Sequence, residues 1–297
     1  MPALYDNIGR NYSGRRQSDP RIGSAIQEAL ADCGSVLNVG AGTGSYEPRS
    51  HAIVAVEPSR TMIEQRPEGA APAIQAHAEA LPFRNASFDA VLAVLTVHHW
   101  SDQAKGLLEC ARVARSKVVI LTTDFEVCAK FWLFDYFPEL LRADRYVFPP
   151  IARFEEAFGL VESVAVPIPA DCRDGFLGAY WKRPSAYLDR AVRESISTFS
   201  KIGDVSSHLQ KLRADIESGA WQQRYSRLRD LSSLDLGYRL IIARREYASA
   251  TFIPVKSAAN STDTGTPRAE RQPKFLIDMD RGTLLDARNF LIPTQIS

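Results

Sequence analysis

The chain has 297 residues, 45% of them hydrophobic, which is material for one full core with an elaboration on it. A formal net charge of +1 without any dense Lys/Arg run argues against a nucleic-acid surface and against a membrane-binding face. No apolar run is long enough to span a bilayer. The opening stretch, Met1 to Asp6, lacks the basic segment and apolar core of a signal peptide, so a cytoplasmic protein is expected. The four cysteines, Cys33, Cys110, Cys128 and Cys172, are far apart and read as free thiols.

In chain order, residues 1–35 carry polar and aromatic positions and then a helix over 21–31, with Ile22, Ala25, Ile26, Ala29 and Leu30 on one face. Short apolar runs follow at 36–39, 53–56, 73–76, 90–95 and 118–122, separated by turn or helical material. Continuous apolar strands spaced in this way predict a parallel sheet covered on both faces. Ser101 is the expected cap of a helix whose buried stripe is Ala104, Leu107, Leu108 and Ala111. Residues 124–158 are rich in aromatics, among them Phe125, Phe134 and Phe148, and read as an inserted helix and loop. A strand at 161–166 ends against Pro167 and Pro169, helical material fills 171–231, and 234–243 supplies the last strand. The expected organisation is an N-terminal lid and helix over 1–35, a main α/β domain over 36–246 with cap elements at 124–158 and 171–231, and a linker and tail over 247–297, partly disordered. Within the tail, Phe275-Leu276-Ile277 and Phe290-Leu291-Ile292 could each dock as a short strand.

The chemistry concentrates at Asn38-Val39-Gly40-Ala41-Gly42-Thr43-Gly44, directly after an apolar run. Alternate glycines leave backbone amides bare, so a ligand can lie against the main chain. Glu57 closes the next apolar run, where a carboxylate can hold a ribose. A dinucleotide pyrophosphate needs a following helix whose N-terminal amides face it. Here only Ser45 to Ala52 separates the turn from the next run, and Pro48 interrupts it. That spacing favours S-adenosylmethionine, which carries no phosphate.

The ordered segments Val36–Gly44, Val54-Ala55-Val56-Glu57-Pro58-Ser59, Ala78-Glu79-Ala80-Leu81-Pro82-Phe83 with Ser87-Phe88-Asp89-Ala90-Val91, and Thr96-Val97-His98-His99-Trp100 together resemble the class I S-adenosylmethionine-dependent methyltransferases of the small-molecule branch. The resemblance covers residues 36–122. It implies a Rossmann-like, mostly parallel seven-stranded sheet with helices on both faces and a helical cap inserted before the last strand. It implies methyl transfer to a small-molecule acceptor by direct in-line displacement. Asn38, Gly40, Gly42 and Gly44 would hold the methionine part of the cofactor and Glu57 the ribose. Pro58, Met62, His77, Ala78 and Glu79 would surround the adenine, and Leu95 and Thr96 would lie beside the sulfonium. The chain departs from the family at Asn38, where an acid is usual, and at His77, where Asp is common.

A general base is needed only for an acceptor that arrives protonated, and His98 or His99 could serve. The plainer alternative is that one of them packs the loop. Adjacent histidines are not the i, i+4 pair a helix offers to zinc, so no metal is expected. The cap offers Arg173, Tyr180, Trp181 and Arg183 as an acceptor pocket with an anion clamp, or merely as packing. Tyr5 and Tyr12, with Arg15, could form an N-terminal lid over the acceptor. A cofactor-binding regulator or scaffold without turnover is the competing reading, and a nicotinamide oxidoreductase a remote third. The sequence leaves the oligomeric state open.

Overall fold

A computed structural model describes residues 17–245 together with 275–278 and 283–286. Its first helix, α1 (Pro20–Leu30), starts at Asp19, whose carboxylate accepts from the Arg21 amide, and carries Pro20 at its first position. Both are features that favour a helix start. The strands are β1 (Ser35–Val39), β2 (Ala52–Val56), β3 (Ala73–Ile74), β4 (Phe88–Val94), β5 (Ala114–Thr123), β6 (Val161–Ala165), the short pair β7 (Ile168–Pro169) and β8 (Ser233–Leu234), and β9 (Tyr238–Arg244). Seven of them form one sheet in the order β3-β2-β1-β4-β5-β9-β6. The β3 to β5 half is parallel, and β9 runs antiparallel to both β5 and β6. The expected mixed seven-stranded sheet is therefore present.

Successive residues of the central strands feed opposite cores, as a pleat requires. Val36, Ala90, Leu92, Val119 and Leu121 pack under α1 and the cap. Leu37, Val39, Val91, Ala93 and Ile120 face the other layer, with Leu107, Phe154 and Phe158. Strands buried on both faces explain the unbroken apolar runs in the sequence.

Several boundaries differ from expectation for identifiable reasons. The last strand begins at Tyr238 rather than at 234, because Asp235 accepts from the Gly237 amide and turns the chain. Ser233 and Leu234 pair instead with Pro169 and Ile168. Gly237 is required there: its φ is +85°, and a Cβ would come 2.4 Å from the Asp124 carbonyl oxygen. The helix after β4 spans Gln103–Val113 and is capped by Asp102, which accepts from Lys105, not by Ser101. Its buried positions are Gly106, Leu107, Cys110 and Val113, while Leu108 is 47% exposed. Gly106 sets this rotation, since a Cβ on it would sit 2.4 Å from the Trp100 ring.

No helix separates β1 from β2; residues 40–51 form only turns. β3 pairs with Ala55 and Val56 alone, so the start of β2 is left bare on that side. A cleft of about 850 Å³ follows this uncovered stretch, lined by Ile53, Val54, Glu47 and Pro72 among others.

The helix at Ile151–Phe158, expected in the cap, packs in the other layer beside the Gln103–Val113 helix. The cap consists of short helices at Phe125–Cys128, Leu133–Tyr136 and Pro138–Asp144, then, past the strand β6, further short helices and turns, and a longer helix at Ser206–Glu217. Trp132 is its hub, stacked edge-on to Tyr136, Tyr187 and Trp221 with centroids 5.1–6.0 Å away. In the tail, Phe275–Asp278 pairs antiparallel with Thr283–Asp286. The expected 290–292 strand, the 256–273 linker and Tyr5, Tyr12 and Arg15 lie outside the described residues. No described helix is long and apolar enough to cross a membrane.

Candidate active site

The glycine turn leaves β1 at the carboxyl edge of the sheet, with Gly40, Gly42 and Gly44 all at positive φ. Such values cost glycine nothing and other residues strain. Gly40 also lies directly under Thr96: a Cβ would fall 2.0 Å from Thr96 Oγ1. The first glycine and the residue after β4 are thus packed as one unit. Leu95, beside it, holds φ at +49° while its amide donates to the Leu121 carbonyl at 2.8 Å. A left-handed leucine is an uncommon, strained conformation of the kind that collects at functional sites.

Glu57 directly follows β2 and is 5% exposed. One carboxylate oxygen accepts from the Gly42 amide at 2.8 Å and the other from the Ser59 amide at 2.9 Å. Each carboxylate oxygen can accept more than one bond, so this anchoring is compatible with a ribose partner. Met62 lies across the turn, its methyl 3.3 Å from where a Cβ on Gly42 would be. Ala78 is buried and His77 exposed at the rim.

Glu79 is engaged elsewhere. One of its oxygens accepts from the Ser101 amide, the Ser101 hydroxyl and the Asp102 amide at 2.7–3.1 Å, tying down the loop before the helix. Burial pushes its carboxyl up, and the Asp102 and Ser101 donors outweigh that, leaving it below the ordinary range.

Asn38 is buried at 1% exposure, and its Nδ2 donates to Glu47 Oε1 at 3.0 Å. Glu47 in turn pairs with Arg66 at 2.7 Å, both side chains under a tenth exposed. Arg66 also donates to the carbonyls of Gly42 and Ala71 at 3.1 and 3.0 Å. Asn38 Oδ1 and Arg66 Nε are buried without a partner. Tyr46 fastens the end of the turn: its amide donates to Ser18 Oγ, and its hydroxyl donates to Asp174 at 2.9 Å while accepting from the Asp19 amide. Neither Glu47, Arg66 nor Tyr46 is singled out by sequence reasoning; the signal was a crossover too short for its helix. A bare glycine turn, a buried carboxylate one strand away and an unpartnered buried acceptor beneath the turn together suit a nucleoside with a charged amino-acid end.

Beside Leu95 lies a cavity of about 60 Å³ at the carboxyl ends of β4 and β5, roofed by the cap. Its walls include His98, Thr123, Phe134, Phe148, Thr198 and Tyr238. The His98 ring packs, tilted, against those of His99 and Phe148, with centroids 3.9 and 4.5 Å away. Asp144 is a buried wall residue that accepts from Thr198 Oγ1 at 2.8 Å and from Lys201 Nζ at 3.1 Å. The aromatic richness of 124–158 signalled this wall in part, whereas Asp144, Thr198 and Tyr238 carry no local motif. Cys128 also lines it, and burial pushes its thiol up to about 12.

Of the cap residues expected either to form an acceptor pocket or to pack, none lines this cavity. Arg173 is exposed. Arg183 spends its guanidinium on the carbonyls of Cys172 and Ala179 at 2.7 and 2.9 Å, stacked 4.9 Å over Tyr180. Trp181 is fully buried, and its indole N–H donates to the carbonyls of Ile168 and Pro169. From this segment Phe176 and Leu177 reach the cavity, while Trp181 and Arg183 give the donors described to backbone carbonyls. All four cysteines are free and buried, and Cys172 is likewise pushed up by burial to about 12. Among the described residues no cluster of His, Cys, Asp or Glu could hold a metal.

A family model described as a methyltransferase domain matches residues 37–122. A crystal structure from Anabaena variabilis, described as a candidate methyltransferase from an antibiotic biosynthesis pathway, is 32% identical, covers 77% of this chain and 98% of its own, and superposes with a TM-score of 0.72. More distant likenesses include a Thermotoga maritima S-adenosylmethionine-dependent methyltransferase described as a possible histamine N-methyltransferase (20% identity, 55% of this chain and 84% of that one, TM-score 0.44). Another comes from Bacillus halodurans, described as a candidate methyltransferase (15%, 75% and 98%, TM-score 0.43). With its ordered motifs, its seven-stranded sheet and a relative of this identity matched over nearly its whole length, the chain belongs to the class I S-adenosylmethionine-dependent methyltransferases.

Proposed function

We propose that this methyltransferase acts on a small molecule seated in the cavity beside Leu95, by direct in-line displacement. The observation that carries this reading is the close approach of Thr96 to Gly40, since Thr96 directly follows Leu95 of the cavity wall. S-adenosylmethionine supplies an electrophilic methyl group when bound. Gly40, Gly42, Gly44 and Asn38 would hold its methionine part, Glu57 the ribose, Pro58, Met62, His77 and Ala78 the adenine, and Leu95 and Thr96 the region of the sulfur. The chain's own contribution to rate is then to orient the acceptor and keep water out. His98 or His99 takes a proton if the acceptor brings one. A cavity of this size admits only a few non-hydrogen atoms, so a larger acceptor must shift cap side chains such as Phe148 or Phe134.

Calorimetry with S-adenosylhomocysteine tests the cofactor half. Glu57→Ala should weaken binding by about 1–3 kcal/mol, the value of a lost bond to a charged group. Co-crystals with the same compound test the acceptor half: its sulfur should open onto the space beside Leu95. Binding with the sulfur facing away from that space would refute the assignment.

A further inference from the structure

The cavity beside Leu95 has one carboxylate in its wall, and the sign of that charge bears on what the cavity receives. We propose that the methyl acceptor is an amine, and that Asp144 is the specificity-determining residue that selects it. The inference rests on the reading above that the acceptor sits in this cavity.

Asp144 ends the helix Pro138–Asp144 and is 3% exposed, yet it forms part of the cavity wall. Among the described residues of that wall there is no Lys or Arg. The cation of the pair, Lys201, reaches one carboxylate oxygen at 3.1 Å but does not line the cavity, and Thr198 donates to the other oxygen at 2.8 Å. The pair therefore turns its negative end to the cavity. Each oxygen takes one donor among the described residues, and a carboxylate oxygen can take more than one. The charge is felt on the same wall: after burial, Asp144 is the next cause of the raised Cys128 thiol. Much of the remaining wall is made of rings, among them Phe134, Phe148, Phe176 and Tyr238. Aromatic faces attract a cation and offer nothing to an anion.

The chemistry of displacement narrows the choice further. At an amine, positive charge grows on nitrogen as its bond to the methyl carbon forms, and a carboxylate nearby stabilises that change. A phenol, an alcohol or a carboxylic acid attacks well only as an anion, which a buried carboxylate without a facing cation opposes. An ammonium arriving from solution first gives one proton to His98 or His99, both on the same wall. The nitrogen lone pair then forms the N–C bond while the C–S bond breaks and its electrons stay on sulfur. The nitrogen ends as a methylated ammonium, its charge again beside Asp144.

Asp144 also has a plainer task. Its bonds to Thr198 and Lys201 tie the Pro138–Asp144 helix to the turn at Ser197–Lys201. Selection must therefore show in a ratio of ligands and not in stability alone.

Ligand-detected NMR on the full chain saturated with S-adenosylhomocysteine compares isobutylamine, isobutanol and isobutyrate, which are close in size and differ in charge. The wild type should bind the amine at least about tenfold more tightly than the alcohol, as for a hydrogen bond to a charged group, and the carboxylate most weakly. Asp144→Asn keeps an acceptor for Thr198 and should bring amine and alcohol within about threefold of one another. An Asp144→Asn protein that weakens all three alike, with the ratio unmoved, overturns the proposal. Equal binding of amine and alcohol by the wild type, or a preference for isobutyrate, overturns it without any variant, should Asp144→Asn not fold. If S-adenosylhomocysteine binds and none of the three does, the seat beside Leu95 fails and the amine falls with it, a result distinct from equal binding.

Discussion

Two parallel crossovers of this sheet solve the same problem by opposite means. Between β4 and β5 the chain builds a full helix, capped by Asp102 and seated by Leu107, Cys110 and Val113. Between β1 and β2 it has no helix at all, and a buried ion pair, Glu47 with Arg66, does the bracing. Apolar packing tolerates small errors in position. A buried charge pair does not, because each partner is costly without the other. The crossover at the proposed cofactor site is the one held by directional bonds.

Four measurements sharpen or break that contrast. The largest effect should come from Arg66→Met, which strands the Glu47 carboxylate; chemical denaturation should show a loss of about 3–5 kcal/mol. A loss under about 1 kcal/mol would mean the pair braces nothing. Gly106→Ala, on the helical crossover, drives a methyl into Trp100 and should cost about 1–3 kcal/mol by overpacking. It should leave S-adenosylhomocysteine affinity nearly unchanged.

Acid should act on the first crossover by way of Asp19, which donates its amide to Tyr46 at the end of the turn. Burial alone would raise the Asp19 carboxyl, but the Arg21 guanidinium and the amides of Arg173 and Arg21 outweigh it and hold it at about 2, against 3.8 for the free group. A depressed value stabilises the folded chain above the unfolded pKa. That contribution should be complete above about pH 4 and drain away as the pH falls toward 2. Asp19→Asn should flatten stability across this window; an unchanged acid profile would remove Asp19 from the account. Smallest of all, Arg60→Ala breaks a surface pair with Glu64 whose side chains are 78% and 63% exposed. It should shift stability by no more than about 0.5 kcal/mol.

The same contrast governs how much could be read from the sequence. The sheet and the glycine turn at its edge were legible because both rest on local patterns: apolar runs buried on two faces, glycines where φ is positive, an acid just past a strand. The rotation of the β4–β5 helix was not, since it depends on Gly106 meeting Trp100 in space. Arg183 and Trp181 have the composition of a binding pocket, yet backbone carbonyls consume their donors. The cavity wall joins Leu95, Asp144, Thr198 and Tyr238 from four separate stretches, a proximity that only the cap's packing creates.

Because β9 runs against its neighbours, it carries the chain back to the opposite end of the sheet from the glycine turn, where Arg245 donates to the Ala114 carbonyl at 2.9 Å. A surface-coupling handle placed next to that residue would moor the enzyme by its base. The face proposed to receive cofactor and acceptor would then point into solution, which makes this position a natural anchor for an immobilised catalyst or a biosensor.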